Sequence, residues 1–330
     1  MIFVDNKNCT DPRINLAIEE HLLRSLKTET DILLFYINEP SIIVGRNQNV
    51  FEEINYEYAE THAIHVIRRL SGGGTVYHDL GNLNFSFINN TGKENLLNFK
   101  KFTAPVVKAL QQMGIPAQLG TRFDILVNGR KISGNAQYNV GNRMVSHGTL
   151  LYNSDLEKVN ESLRVNIDHI QSKSIKSVRS QVSNICEFLE NPGDIFSFRD
   201  QLMTSILEDT GSSQYVLNSQ DWETIHQLSQ SRYHTWEWNY GRSPEFEIKK
   251  KLTIDGGDLE LKIIVANGLV KRLEVSGATL ILPEDVTSLE NHMLGSRFAK
   301  QDLLEALQSW AIPSSMESLS KPELVSQFFK

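Results

Sequence analysis

The chain has 330 residues, 40% hydrophobic and 22% charged, with a formal net charge of −7 at pH 7, a composition near the average for globular proteins and long enough for one large domain and one small one. Acidic and basic residues are interspersed, which excludes the electrostatic footprint of a nucleic-acid or anionic-membrane binder. The two cysteines, Cys9 and Cys186, exclude a disulfide framework or cysteine-rich zinc site, and with an N-terminus that turns polar at once and no apolar run near the roughly 18 residues of a membrane helix they point to a cytoplasmic protein.

Asp11-Pro12 reads as an N-cap and first helical position, and Ile14, Ala17, Ile18, Leu22 and Ser25 then share one helical face. Asp31 to Ile37 and Ser41 to Gly45 are short β-rich runs separated by Asn38-Glu39-Pro40, two strands joined by a turn. A short helix near Tyr56 to His62 leads into a strand at Ile64 to Arg68. Leu83, Phe85 and Phe87 alternate with Asn84 and Ser86, the period expected of a strand with one buried face. Helical periodicity over Lys100 to Met113 stops at Gly114, a residue that tolerates the positive φ of a helix end.

Asn128-Gly129 between Asp124 to Val127 and Arg130 to Ser133 is a strong hairpin signal. A two-residue turn predicts Val127 opposite Arg130, Leu126 opposite Lys131, Ile125 opposite Ile132 and Asp124 opposite Ser133. Lys131 and Asp124 then become diagonal neighbours, about 7–8 Å apart at their backbones. Gly141-Asn142 suggests a turn before a strand at Arg143 to Tyr152, and Ser154-Asp155-Leu156-Glu157 reads as a capping box opening a helix. Helical patterns cover Gly193 to Glu208 and Ser219 to Ser229. Beyond Arg242-Ser243-Pro244 the pattern changes to strands near 245–254, 258–266 and 269–275, a meander, followed by helices.

Chemistry concentrates in Arg68-Arg69-Leu70-Ser71-Gly72-Gly73-Gly74-Thr75-Val76-Tyr77-His78-Asp79. Glycines let backbone N–H groups approach a ligand closely, and arginines add donors suited to phosphate or carboxylate. A glycine triplet alone is ordinarily a flexible turn, but arginines before it and a strand after it favour an anion-binding loop. No Gly-Lys-Ser/Thr follows, so this is not a P-loop. Lys131 is the second candidate. A strand lysine is ordinarily a solvated edge charge, yet a face shared with Asp124 would let its ammonium stabilise an activated carboxylate while Asp124 holds Mg²⁺. His147-Gly148-Thr149 suggests a pocket wall, with His147 and His78 as supporting residues. Lys173, Lys176 and Arg179 form a local basic cluster. No His-Glu-x-x-His or Gly-x-Ser-x-Gly spacing occurs, which argues against a zinc or serine hydrolase.

These segments, in this order, resemble the lipoate-protein ligase A family over essentially the whole chain. The resemblance rests on Arg68 to Asp79, Gly81-Asn82-Leu83-Asn84-Phe85, Lys131-Ile132-Ser133-Gly134-Asn135-Ala136, His147-Gly148-Thr149-Leu150-Leu151, and Ile175-Lys176-Ser177-Val178-Arg179. It implies a mixed α/β (α+β) biotin/lipoate ligase-like large domain over 1–244 and a small α+β accessory domain over 245–330. It also implies the chemistry: ATP activates lipoate to lipoyl-AMP, and the lipoyl group passes to a lysine of lipoyl-domain acceptors, the 2-oxoacid dehydrogenase acyltransferase subunits and the glycine cleavage H protein. Arg69, Gly74, Thr75, Val76, Tyr77 and Lys131 match nucleotide or adenylate positions, with Lys131 the catalytic residue. Ser71, Gly72, Gly73, His78, Asn82, His147 and Gly148 complete the expected site, Asp124 the metal position, and Lys176 and Arg179 the loop over the adenylate.

Two departures stand out: Thr121-Arg122-Phe123-Asp124 replaces the usual Gly-Arg-Asn-Asp, and Gln181 stands where Arg or Lys is common. An octanoyl or lipoyl transferase of the same fold is the nearest alternative, but such enzymes generally use a cysteine thiolate, and neither cysteine lies in the motifs. A non-catalytic lipoyl-domain binding protein is the other.

Overall fold

The computed structural model describes residues 1–90, 98–163, 170–178, 180–208, 212–254, 257–277 and 282–329. In chain order the elements are β1 (Ile2–Asp5), α1 (Pro12–Arg24), β2 (Ile32–Ile37), β3 (Ser41–Val44), α2 (Val50–Glu53), α3 (Tyr56–Thr61), β4 (His65–Arg68), β5 (Val76–His78), β6 (Asn82–Asn90), α4 (Phe99–Gln112), β7 (Ala117–Leu119), β8 (Ile125–Val127), β9 (Arg130–Ser133), β10 (Asn135–Val140) and β11 (Arg143–Leu151). There follow α5 (Leu156–Ser162), β12 (Ile170–Ser172), α6 (Ile195–Glu208), β13 (Ser213–Val216), α7 (Ser219–Leu228), β14 (Phe246–Ile254), β15 (Gly257–Ala266), β16 (Leu269–Ser276), α8 (Pro283–Met293), α9 (Lys300–Ala306) and α10 (Lys321–Gln327). No helix among the described residues is long and apolar enough to cross a membrane.

These elements form two compact units interleaved along the sequence, one from 1–46, 64–161 and 177–235, the other from 47–63, 162–176 and 236–330. The first is a mixed α/β unit around a six-stranded sheet of order β10-β11-β6-β2-β1-β13. Its β1 runs parallel to β2 and β13, while β2, β6, β11 and β10 pair antiparallel. Two three-stranded sheets, β4-β3-β5 and β7-β8-β9, complete it. The turn at Pro40 does not fold β3 back on β2; it carries the chain from the large sheet into a small one.

Local chemistry sets the boundaries. Asp11 caps α1 by accepting from the Arg13 N–H at 2.8 Å, and Pro12 supplies a fixed φ where no N–H is needed. Gly114 has φ +84° where α4 ends. The expected capping box at Ser154 is displaced by one residue: Asp155 accepts from the Lys158 N–H at 3.1 Å, so Asp155 caps α5.

Strand β6 departs from the one-buried-face expectation, since both faces are covered. Leu83, Phe85 and Phe87 pack in a core with Phe102, Val106 and Leu110 of α4 and Phe198, Leu202 and Ile206 of α6; each large apolar side chain so buried contributes about 1.5–3 kcal/mol. On the opposite face the Ser86 hydroxyl donates to Glu19 of α1. Polar residues alternating with apolar ones were therefore a second, polar interior rather than a wet surface.

In the second unit an antiparallel sheet of order β12-β14-β15-β16 packs with α8, α9 and α10. Its core includes Phe51 from α2, 5.3 Å from the Phe246 ring and 5.0 Å edge-on from Phe298.

Candidate active site

The glycine-rich segment crosses from β4 to β5, and Arg69 shapes it. Its Nε donates to Ser71 Oγ (2.9 Å), Nη1 to the Ile43 carbonyl (2.9 Å), and Nη2 to the carbonyls of Gly72 (2.6 Å) and Gly74 (2.8 Å). Arg68 is fully buried and donates to the carbonyls of Gly45 and Arg46. Both arginines thus grip backbone in this conformation, where the sequence suggested donors for an anion. Burial pulls the Arg69 pKa down to about 10, with Tyr36 and Glu19 opposing, so the cation persists at neutral pH. Gly73 has φ +87°, which L side chains rarely adopt, and a Cβ there would sit 3.1 Å from Arg69 Nη2. The Thr75 amide donates to Ser177 Oγ at 2.8 Å, and Ser177 lies so close that a Cβ on Gly74 would meet its Oγ at 3.0 Å.

Val76, Tyr77 and His78 form β5, paired with Ile43, Ile42 and Ser41 of β3. Asn38 Nδ2 donates to His78 Nδ1 at 3.0 Å. The neutral ring then carries its proton on Nε2, which is buried without a hydrogen-bond partner among the described residues. Burial, reinforced by the Arg69 cation, pushes His78 down to about 3 and keeps it neutral. A buried donor without an acceptor is costly unless a ligand oxygen meets it.

Lys131 sits on the tight hairpin. Asn128 and Gly129 have φ of 50° and 77°, the values of a type I′ turn. Val127 faces Arg130 and Leu126 faces Lys131 as expected, but a bulge follows and Ile125 faces Ser133. The expected pairs Ile125–Ile132 and Asp124–Ser133 are therefore wrong by one residue: the extra residue lets Ile132 and Ser133 both be fully buried, and bulges commonly re-aim side chains beside a site. Lys131 is half-buried, its Nζ 3.3 Å from the Cβ position of Gly134. Burial lowers its pKa, Asp124 opposes and Arg122 reinforces the shift. A further contact was not legible: Lys131 N–H donates to the Gln181 carbonyl (2.9 Å) and Ser183 N–H to the Lys131 carbonyl (3.1 Å). Because Gln181 acts here through its backbone, its departure in side chain leaves that clamp intact.

Phe123, the other departure, holds φ +62°, a conformation Asn tolerates and Phe does not without strain. It stacks on Phe99 with ring centroids 4.3 Å apart, and its carbonyl accepts from Asn135 Nδ2 at 2.7 Å.

The glycine-rich loop meets β10 and β11. A Cβ on Gly73 would lie 3.8 Å from that of Ala136, and Ser71 Oγ lies 2.7 Å from His147 Nε2. His147 Nδ1 lies 2.9 Å from both carboxylate oxygens of Glu19. A Cβ on Gly148 would meet Asn135 Oδ1 at 2.2 Å and Phe85 Cζ at 2.5 Å, so only glycine fits. Asn82, also buried, donates from Nδ2 to Asn84 Oδ1 at 3.1 Å. Lys176 belongs to the second unit, where its Nζ donates at 3.0 Å to the buried Glu52 carboxylate, which Ser174 Oγ also reaches at 2.7 Å. Arg179 lies outside the described residues. Glu19 was not singled out from sequence; the signal was an acidic pair, Glu19-Glu20, directly after the apolar run Leu16-Ala17-Ile18 of α1.

Among the described residues no group of three or more His, Cys, Asp or Glu side chains could hold a metal ion. Asp124 offers one carboxylate, which suits Mg²⁺ entering with polyphosphate oxygens and waters rather than a resident all-protein metal site.

The Lipoyl protein ligase A/B catalytic domain model matches residues 11–207, and the Bacterial lipoate protein ligase C-terminus model matches 243–328. The sequence is 45% identical to a lipoate-protein ligase of Bacillus subtilis (strain 168) and to lipoate-protein ligase 1 of Staphylococcus aureus (strain Mu50), in both cases over 98% of this chain and 99% of the relative. Among solved structures it is similar to a lipoate-protein ligase A bound with ATP, with TM-score 0.62, 27% identity, and coverage of 70% of this chain and 95% of that one. It is also similar to the bi-partite lipoate protein ligase of Thermoplasma acidophilum, described together with its E2 lipoyl domain, with TM-score 0.63, 26% identity, and coverage of 73% and 96%.

Proposed function

This chain belongs to the lipoate-protein ligase family, and on that premise we propose that it activates lipoate with ATP and transfers the lipoyl group to a lysine of a lipoyl-domain acceptor. A carboxylate is a poor acyl donor until its oxygen becomes a good leaving group. Attack of the lipoate oxygen on the α-phosphate, with loss of pyrophosphate, supplies that activation; the acceptor lysine then attacks the mixed anhydride and AMP departs. The protein's part is to hold the reactants and offset developing negative charge.

The observation that supports this reading is the contact of the braced glycine loop with Ala136 of β10, the strand the chain enters directly after the half-buried Lys131, and with His147 of β11. Lys131 is the cation for the reacting carboxylate and α-phosphate. The amides of Gly72, Gly73 and Gly74 and the His78 Nε2–H are the neutral donors, while Arg69 and Ser71 hold the loop to present them and Thr75, its amide committed to Ser177 Oγ, lies beside them. Val76, Tyr77, Asn82, His147 and Gly148 line the adenylate and acyl site. Lys176 and Arg179 approach the adenylate once formed. Asp124 and the nucleotide's phosphate oxygens would hold Mg²⁺, which supplies charge neutralisation. Along the sequence the catalytic region is 1–244 and the accessory region 245–330, with 47–63 and 162–176 folded into the second compact unit, in the cytoplasm; the acceptors are the 2-oxoacid dehydrogenase acyltransferase subunits and the glycine cleavage H protein.

Burial pushes the thiol pKa of both Cys9 and Cys186 up, which keeps them protonated and favours a ligase over a thiolate-dependent transferase. Incubating the protein with ATP, Mg²⁺, lipoate and apo acceptor domains should release pyrophosphate and add one lipoyl mass to an acceptor. Acyl transfer without ATP, or no pyrophosphate release with any acceptor, would reject the reading.

A further inference from the structure

We infer that Glu19 is a positioning residue for the proposed adenylation site, acting through His147 and Ser71 on the glycine-rich loop. The inference rests on the reading that this loop receives the acyl-adenylate.

Glu19 is 3% exposed, on helix α1. Burial alone would push its carboxyl up, but His147, Ser86 and Arg69 outweigh that and hold it below the usual carboxylate range. A carboxylate accepts only, so His147 Nδ1 must be the donor across the 2.9 Å contact. In the neutral imidazole Nε2 is then the acceptor, and the Ser71 hydroxyl donates to it at 2.7 Å. With its proton so committed, Ser71 Oγ presents a lone pair to Arg69 Nε–H at 2.9 Å. Arg69 in turn grips the carbonyls of Gly72 and Gly74. One directional chain of donors thus runs from the loop back to a helix, and the peptide orientations that aim the loop amides depend on it.

An imidazole in solution favours the other tautomer, with the proton on Nε2. Adopting it here would set a lone pair against the carboxylate and bring two donors, Nε2–H and Arg69 Nε–H, onto one hydroxyl oxygen whose own proton would have lost its acceptor. The Glu19 carboxylate therefore selects the tautomer, in the way a carboxylate orients a histidine in other sites.

The test measures the His147 tautomer by ¹⁵N NMR of the ligand-free protein, with the resonance assigned by its loss in His147→Gln, alongside rates of ATP- and lipoate-dependent pyrophosphate release. In the wild type the proton should be on Nδ1. Glu19→Gln keeps an acceptor oxygen and should retain both the tautomer and, within a few-fold, the rate. Glu19→Met, similar in size but without an acceptor, should shift the proton to Nε2 and lower kcat on the order of 10–100-fold. An Nε2–H tautomer or a doubly protonated ring in the wild type overturns the inference, and this readout needs no folded variant. So does a lowered rate in Glu19→Met with the tautomer unchanged, or a changed tautomer with a rate within threefold. If the wild type releases no pyrophosphate, the functional reading fails while the tautomer still decides the hydrogen-bond arrangement.

Discussion

Arg69 is a cation that faces inward, and it illustrates what residue types in a row do and do not disclose. An arginine beside glycines signalled anion chemistry; the fold gives four of its N–H donors to Ser71 and three carbonyls, so its part in that chemistry is to shape the loop. Lys131 was legible because an Asn-Gly turn places it, whereas Glu19 was not, since its partner His147 lies 128 residues away. Two outcomes follow at this scale. Lys131→Ala should lower adenylation on the order of 10²–10³-fold, the usual cost of losing one preorganised charge donor; because burial pulls this ammonium down, the wild-type rate should also fall at alkaline pH below the ordinary lysine value of about 10.4, and pyrophosphate-release rates against pH check both. His78 titrates at about 3 in the folded protein and near 6.5 unfolded. Between these values the unfolded chain binds the extra proton, so stability falls as pH falls, by about 1.4 kcal/mol per pH unit from this group. Urea melts from pH 6.5 to 4 should show a shallower decline for His78→Gln.

At the scale of elements, turn chemistry was the most readable feature: Asn128-Gly129 and Asn267-Gly268 both close tight hairpins with positive φ at each residue. The bulge opposite Ile125 and Leu126 was not readable, because it answers to burial of both Ile132 and Ser133, a demand set by the rest of the fold. For the same reason the period-two pattern of β6 disclosed a strand but not that Ser86 would meet a helix. Glycine inside a strand did signal close approach: Gly148→Ala should force its Cβ into Asn135 Oδ1 and the Phe85 ring. Overpacking of that kind typically costs 1–3 kcal/mol. Thermal melts should show the loss, and adenylation should fall with it because Asn135 begins the strand next to Lys131.

At the scale of the whole molecule, the change of pattern at Arg242-Ser243-Pro244 suggested one boundary, yet the second compact unit also draws in 47–63 and 162–176. Periodicity cannot disclose such interleaving, since α2 is only four residues long and carries no period. A chain ending at residue 244 would leave Phe51 and Ile170 without Phe246, Phe298 and Phe329, the aromatic neighbours of their shared core. Such a truncation should aggregate or melt well below the full chain, as size-exclusion chromatography and melting would reveal; a stable, soluble 1–244 fragment would contradict it. Phe51 and Phe329 rest 6.0 Å apart, although synthesis delivers one near the start and the other at the last turn. During translation at about 5–20 residues per second, Phe51 therefore emerges many seconds before Phe329, and their shared aromatic cluster closes only after residues far downstream have been made.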